Sequence, residues 1–388
     1  MIRKDFFNEG VALDVQIYSG IVSQSTIVSV EVCYTENKHD MATITYAGFP
    51  EFAITAYKGL PVYITFGNNE ANKKQFYGYV AYVDAGAYSR MGAVNNSQIQ
   101  EAKVVCIGTS YELKQISNSS FRNITLSKLV KTIARKYNMS YSVPKVSTVI
   151  PSVIQQNQSD WELLVSECNK FGYNVTVSNS HINIYDPFSD YFKNYPVTAL
   201  EATGKGSTGK TRTPGTIMEF KGTFGDVTPY GNSHTYDVNT LDKKGKTITT
   251  SSKSLENAKI GKKVTNRFNH NITTQSSSRE HLKQVVKGYN LNSFPFHADV
   301  TVSGIVTPVP GSFVKINNYD SKFNGYWVVE NVEHLINTDH YITKLRIKTD
   351  STIDEPALQQ SGPHYKGTPK PILNNYVWVT EREMAYVY

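Results

Sequence analysis

At 388 residues the chain exceeds what one hydrophobic core usually organises, so roughly two to four packed units are expected, and 39% hydrophobic against 19% charged residues excludes wholesale disorder. The formal charge of +7 is unevenly spread: eight Lys or Arg against two acids fall between Asp242 and Arg267, which reads as a solvated polar loop, since no aromatic or groove-reading element for nucleic acid stands beside it. No apolar run reaches the roughly 18 to 20 residues that cross a bilayer, and the start, Met1-Ile-Arg-Lys-Asp-Phe-Phe-Asn-Glu, lacks the apolar stretch of a signal peptide.

Aromatic residues reach 12%, with 26 Tyr, and Val, Ile and Thr recur in short runs, so a mainly β chain with an α+β insertion is predicted. The first module, residues 1–116, carries strands at Ala42-Thr-Ile-Thr-Tyr-Ala-Gly48, Gly59-Leu-Pro-Val-Tyr-Ile64, Gly78-Tyr-Val-Ala-Tyr-Val83 and Lys103-Val-Val-Cys-Ile107. Cys33, Cys106 and Cys168 are far apart and set in apolar patterns, which reads as three reduced core residues and fits assembly in the cytosol.

A mixed domain begins at residues 117–195. From Thr125, the positions Leu126, Leu129, Val130, Ile133, Ala134 and Tyr137 follow helical spacing and give one buried stripe. A second helix starts at Ser159-Asp-Trp-Glu162, where the serine caps the first turn and the glutamate reaches back to it. Its stripe is Trp161, Leu164, Val165, Cys168 and Phe171, and Gly172 ends it in a left-handed turn. A hairpin follows, Tyr173–Val177 against His181–Tyr185.

Residues 196–229 start a second β module, with a strand at Ile217-Met-Glu-Phe220. The mixed domain resumes over 230–292, with the basic loop and a third helix from Ser277 to Gly288 whose stripe is Leu282, Val285, Val286 and Tyr289. Residues 293–355 complete the second module through Ala298-Asp-Val-Thr-Val-Ser-Gly304, Gly311-Ser-Phe-Val-Lys-Ile316, Gly325-Tyr-Trp-Val-Val329 and Tyr341-Ile-Thr-Lys-Leu-Arg-Ile347. These four segments repeat the four of the first module in order and character, with the Gly-Tyr pairs at 78 and 325 aligned, so two similar antiparallel barrels are expected. Residues 356–388, with Pro356, Pro363, Pro369 and Pro371, read as an extended arm; its apolar end, Tyr376-Val-Trp-Val379 and Tyr386-Val-Tyr388, is expected to dock on a neighbour or on this chain.

Tests for chemistry return no catalytic, cofactor-binding or metal-ligating residue. The string Gly204-Lys-Gly-Ser-Thr-Gly209-Lys210-Thr211 satisfies the phosphate-loop pattern, but that loop needs a helix after it, and Pro214 and Gly215 follow instead. Zinc needs closely spaced Cys or His, and none are so placed; His334 and His340 flank an apparent turn and read as surface or hairpin residues. No Gly-x-Ser-x-Gly elbow exists, and a carboxylate pair for glycoside cleavage cannot be placed from sequence.

Three pieces together resemble one family. They are Leu126–Tyr137 with Gln158-Ser-Asp-Trp-Glu-Leu-Leu164 and Phe171-Gly-Tyr173; Pro310–Ile316 with Gly325-Tyr-Trp-Val-Val-Glu-Asn-Val-Glu-His334; and Tyr341–Ile347 running to Thr352-Ile-Asp-Glu-Pro356. In this order they are similar to the tail hub proteins of bacteriophages, which include the contractile baseplate hub, the late control protein D group and the matching part of type VI secretion spikes. The resemblance implies a non-enzymatic homotrimer in the virion tail, assembled in the host cytoplasm, whose six barrels form a pseudo-sixfold ring. Its implied partners are the tail tube protein, a central spike protein and other baseplate proteins, with phage DNA passing through the channel. No needle domain follows residue 356, so the spike is expected to be a separate protein. The alternatives are the hub-like front part of a non-contractile tail tip, a cell-wall hydrolase, and a host-glycan binding module suggested by the Tyr and Asn content.

Overall fold

The computed structural model describes residues 11–17, 20–21, 27–47, 58–69, 72–84, 101–185, 196–202, 214–223, 235–241, 247–253, 280–281, 284–285, 296–319, 323–337 and 340–349. The fold is mainly β. The first module holds β1 (Ala12–Ile17), β2 (Gly20–Ile21), β3 (Ile27–Thr35), β4 (Met41–Ala47), β5 (Pro61–Asn69), β6 (Asn72–Asp84) and β7 (Glu101–Gly108). A 3-10 turn, Thr109–Lys114, leads to the mixed unit: β8 (Ile116–Thr125), α1 (Leu126–Lys136), β9 (Ser140–Ser142), β10 (Val149–Ser159), α2 (Asp160–Lys170), β11 (Asn174–Ser178) and β12 (His181–Tyr185). The second module holds β13 (Thr198–Ala202), β14 (Thr216–Thr223), β17 (Phe296–Ser303), β18 (Phe313–Asn317), β19 (Gly325–Asn337) and β20 (Tyr341–Thr349), and is interrupted by the hairpin β15 (Thr235–Leu241) with β16 (Thr247–Lys253).

Both helices form where their caps place them. The Thr125 side chain accepts from the Lys128 amide, and five apolar residues from Leu126 to Ala134 are buried in one stripe. Ser159 and Glu162 form a reciprocal capping box, each satisfying the other's backbone amide. At the far end of α2, Gly172 takes φ +77° and the Tyr173 amide returns to the Cys168 carbonyl at 3.1 Å, closing the helix as glycine permits. In the third helical stretch Glu280, His281, Gln284 and Val285 are helical, and His281 and Val285 are buried; the rest of residues 277–288 lies outside the described residues.

The second module closes into a six-stranded barrel in the order β18-β13-β14-β17-β20-β19, with β19 pairing back to β18. It is not wholly antiparallel, since β13 runs parallel to both its neighbours. The first module repeats that order as β3-β4-β7-β6-β5-β1, except that β1 runs antiparallel to β5 where β13 runs parallel to β18, and among the described residues no ladder joins β1 to β3.

Over the other five strands the repeat holds at matched bulges and glycines. Ile27 pairs with Tyr46 and the ladder then skips Val28; Ile217 pairs with Val302 and the ladder then skips Met218. Val80 pairs with Cys106 before a bulge at Ala81, and Val329 pairs with Ile347 before a bulge at Glu330. Gly59 and Gly311 take φ +91° and +89°, and their amides donate to the carbonyls of Val80 and Val329 at 2.8 and 2.7 Å. Each valine amide returns to the carbonyl of the residue after its glycine, Leu60 or Ser312, at 2.9 Å. Val80 is therefore the counterpart of Val329, and Gly78 stands opposite Trp327 rather than Gly325. Aligning the Gly-Tyr pairs is thus two residues out of register: Gly325 opens β19, whereas Gly78 lies mid-strand because β6 begins six residues earlier to pair with the longer β5.

Candidate functional site

The two modules share one 13-stranded sheet, and the strand that joins them is β19. One edge of β19 pairs with β20 from Val328 to Ile336. Its other edge serves β18 from Gly325 to Val328, then passes to β3 of the first module, Asn331 facing Thr35 through to Asn337 facing Ser29. The Glu330 bulge marks the hand-over, and its carbonyl accepts from the Glu36 amide at 3.2 Å. A bulge bends and twists its strand, which lets one continuous strand serve two barrels.

The turn after β3, Glu36 to Asp40, ties all three units together. Glu36 accepts from Lys348 of the second module and from the Tyr185 hydroxyl of the mixed unit at 3.3 Å. Burial raises the Glu36 carboxyl above the usual carboxylate range, against the pull of Lys348. Asn37, at φ +57°, behaves as an added strand residue: its amide donates to the Val175 carbonyl and its side-chain oxygen accepts from the Val175 amide, both at 2.9 Å. Asp40 accepts from the Ser178 hydroxyl at 2.6 Å, and burial pushes its carboxyl up to about 7. His39 lies over Trp161 with ring centres 4.7 Å apart, and its Nδ1 meets the Ser110 hydroxyl at 2.7 Å. Burial, with Lys114 nearby, brings His39 down to about 4.

A second contact between the modules runs from the β5–β6 hairpin to the β17–β18 connection. Asn68 donates to the Gly304 carbonyl at 2.7 Å and Lys74 to the Pro308 carbonyl at 3.3 Å, while the Lys74 ammonium lies 4.0 Å over the Tyr34 ring. Burial lowers Lys74 to about 7 despite Asp40 nearby. Beneath this contact His334 is wholly buried among Tyr34, Phe66 and Tyr341. The hydroxyls of Tyr341 and Thr343 both donate to the Ile305 carbonyl at 3.0 Å, so His334 Nδ1, which meets them at 3.0 and 3.3 Å, carries the proton and donates. Burial holds the ring neutral, far below the usual histidine range.

His334 is therefore a seam residue, and its reading as a surface or hairpin residue is corrected. It points inward from the middle of β19, and the β3 strand that covers it lies some 300 positions away in sequence. His340 is exposed in the β19–β20 turn, where its amide donates to Asn337. Cys106 and Cys168 are buried, whereas Cys33 is half-buried and its thiol donates to Asn331 across the seam at 3.3 Å. Among the described residues no group of three or more His, Cys, Asp or Glu is arranged to hold a metal ion, and no helix is long and apolar enough to cross a membrane. The phosphate-loop-like string at 204–211, the basic stretch 242–267 apart from β16, and the arm 356–388 lie outside the described residues.

The same fold occurs in solved tail proteins. The tail protein of Neisseria meningitidis MC58 superimposes with a TM-score of 0.63 at 13% identity, over 88% of this chain and 97% of that one. The 43 kDa tail protein of prophage MuSo2 from Shewanella oneidensis gives 0.59 at 10% identity, over 87% and 98%. An E. coli component of the type VI secretion system, described as structurally similar to T4 bacteriophage tail proteins, gives 0.53 at 10% identity, over 93% and 80%. At such identities the likeness is one of fold. No curated protein matches the sequence. The family model described as the Alg8 N-terminal domain matches residues 19–338, well over half of the sequence, and the chain belongs to that family.

Proposed function

We propose that the chain is a structural, non-enzymatic hub of a phage-type tail tip or baseplate, acting as a homotrimer. Two barrels per copy make a pseudo-sixfold ring that adapts a sixfold tail tube to a threefold central spike and leaves a channel for DNA. Virion tail localisation, assembly in the host cytoplasm and contacts with other baseplate proteins belong to the same reading. The observation that carries it is the duplication of five strands per module, in which matched bulges and matched positive-φ glycines give one chain two units of like build. A threefold assembly of duplicated units presents near-sixfold symmetry on one face and threefold on the other, which a single barrel per chain cannot do. The tail proteins and type VI component of like fold support the setting. Light scattering of the purified protein at several concentrations, alone and with its spike partner, tests the proposal. A mass of three chains is expected, and a monomer indifferent to concentration and spike overturns it.

A further inference from the structure

The two barrels differ on their outer faces. On the first, Tyr63 of β5 and Tyr77 of β6 stand opposite each other in the ladder, between neighbours whose side chains face the core, so both rings lie on the outside. They stack with centres 4.6 Å apart and planes at 16°, and the row runs on through Tyr79 at 5.7 Å to Tyr111 of the 3-10 turn at 6.3 Å. The hydroxyls of Tyr77 and Tyr79 are 3.5 Å apart and that of Tyr79 donates to Glu112, which holds the rings in one alignment. Tyr63 is 37% exposed and the other three are half-buried. The matched glycines make Lys315, Tyr326 and Val328 the counterparts of Tyr63, Tyr77 and Tyr79. There the Lys315 ammonium lies 5.4 Å from the Tyr326 ring centre and Val328 is buried, so a barrel of like build closes without an aromatic row. The row is an addition to the fold rather than a requirement of it.

We infer that this row is a binding platform for a neutral, pyranose-based polysaccharide. Each tyrosine offers an apolar ring to the C–H face of a sugar and a hydroxyl to the sugar hydroxyls, an amphipathic pairing that neither an aliphatic nor a charged surface supplies. Gln16 of β1, opposite Tyr63, adds an amide beside the rings. The rings are already aligned by their mutual contacts, so little side-chain freedom is lost when a chain settles on them. The charges beside the row offset one another, Asp14 and Glu112 against Lys73 and Lys114, so a polyanion finds no basic track there. The inference goes beyond the hub reading and does not depend on it.

The test is native electrophoresis of the full chain in gels that carry dextran, glucomannan or glycol chitin, with urea unfolding of each variant as the check on folding. Retardation by at least one of the three polymers is expected, and retardation by none overturns the platform. Tyr63→Thr with Tyr77→Thr keeps strand-forming residues at both outward positions and is expected to weaken binding about a hundredfold. Tyr63→Phe with Tyr77→Phe keeps the rings and drops the hydroxyls, and a loss of about fivefold is expected. Lys315→Ala with Tyr326→Ala, the matched change on the second barrel, is expected to leave binding unchanged. An unaltered threonine pair, or an unaltered phenylalanine pair where the threonine pair unfolds, overturns the inference, and so does an equal loss from the second-barrel change. A threonine pair that lowers the mass in light scattering with no polymer present shows a contact between copies and overturns it as well. None of these results decides the hub reading, which rests on the mass of the unsubstituted protein.

Discussion

Lys348, on the last strand of the second barrel, donates to the carboxylate of Glu36 in the turn that leaves the first module, and their side chains are only 8% and 4% exposed. The pair lies where the two modules and the mixed unit meet. Removing one partner of such a pair leaves the other charge buried and unmatched, which typically costs about 3–5 kcal/mol. Glu36→Leu is expected to lose that much in urea unfolding. Glu36→Leu with Lys348→Met is expected to recover most of it, because an apolar pair of similar volume carries no desolvation penalty.

The next residues along that turn titrate in opposite senses. His39 stays neutral in the folded protein down to about 4, so between about 4 and its ordinary 6.5 the unfolded chain holds the extra proton and stability rises with pH. Asp40 is raised to about 7 from 3.8, so over that interval the folded chain holds the extra proton and stability falls as pH rises. Relative to the unsubstituted protein, His39→Gln is expected to lose a rising slope of up to about 1.4 kcal/mol per pH unit, and Asp40→Asn a falling slope of similar size. Urea midpoints from pH 4.5 to 6.5 read both; slopes shared by all three proteins would contradict the assignment.

Gly59 and Gly311 provide a matched test of the duplication. Each occupies a left-handed conformation that a side chain strains by about 1–2 kcal/mol. Gly59→Ala and Gly311→Ala are therefore expected to cost the same within experimental error, each measured by denaturant unfolding. A large cost at one site and none at the other would show that the two turns are not equivalent.

Asn37 holds the mixed unit to the first module by two reciprocal bonds with Val175 and one to Asn174. Asn37→Ala removes two of these and strains the φ +57° backbone, with an expected loss of about 1–3 kcal/mol. Hydrogen exchange at the Val175 amide, which loses its acceptor, is expected to speed up more than exchange in the barrel strands.

Features written in short range were legible in the sequence. The Thr125 and Ser159 caps, the apolar stripe of α1 and the Gly172 stop mark both helices, because helix bonds close within four residues. The duplication was legible through Ala42–Ala47 against Ala298–Ser303 and through Gly59 against Gly311. The register of β6 against β19 was not, because a Gly-Tyr pair can open a strand or sit in its middle, and only the β5 and β18 partners decide which. The seam was likewise hidden. Glu36-Asn-Lys-His-Asp40 has the composition of an ordinary polar turn, yet Glu36 and Asp40 are buried in it by partners far along the chain, and His334, a polar residue near a hairpin, is buried because β3 and β19 pair across the length of the chain.

The most direct measurement of the central claim is electron microscopy of the purified protein, averaged over particles lying on the ring face. The account predicts a closed ring of six near-equal lobes around an open centre, resolving into three copies of a two-barrel unit. Isolated two-lobed particles, or rings whose lobe number is not six, would contradict it.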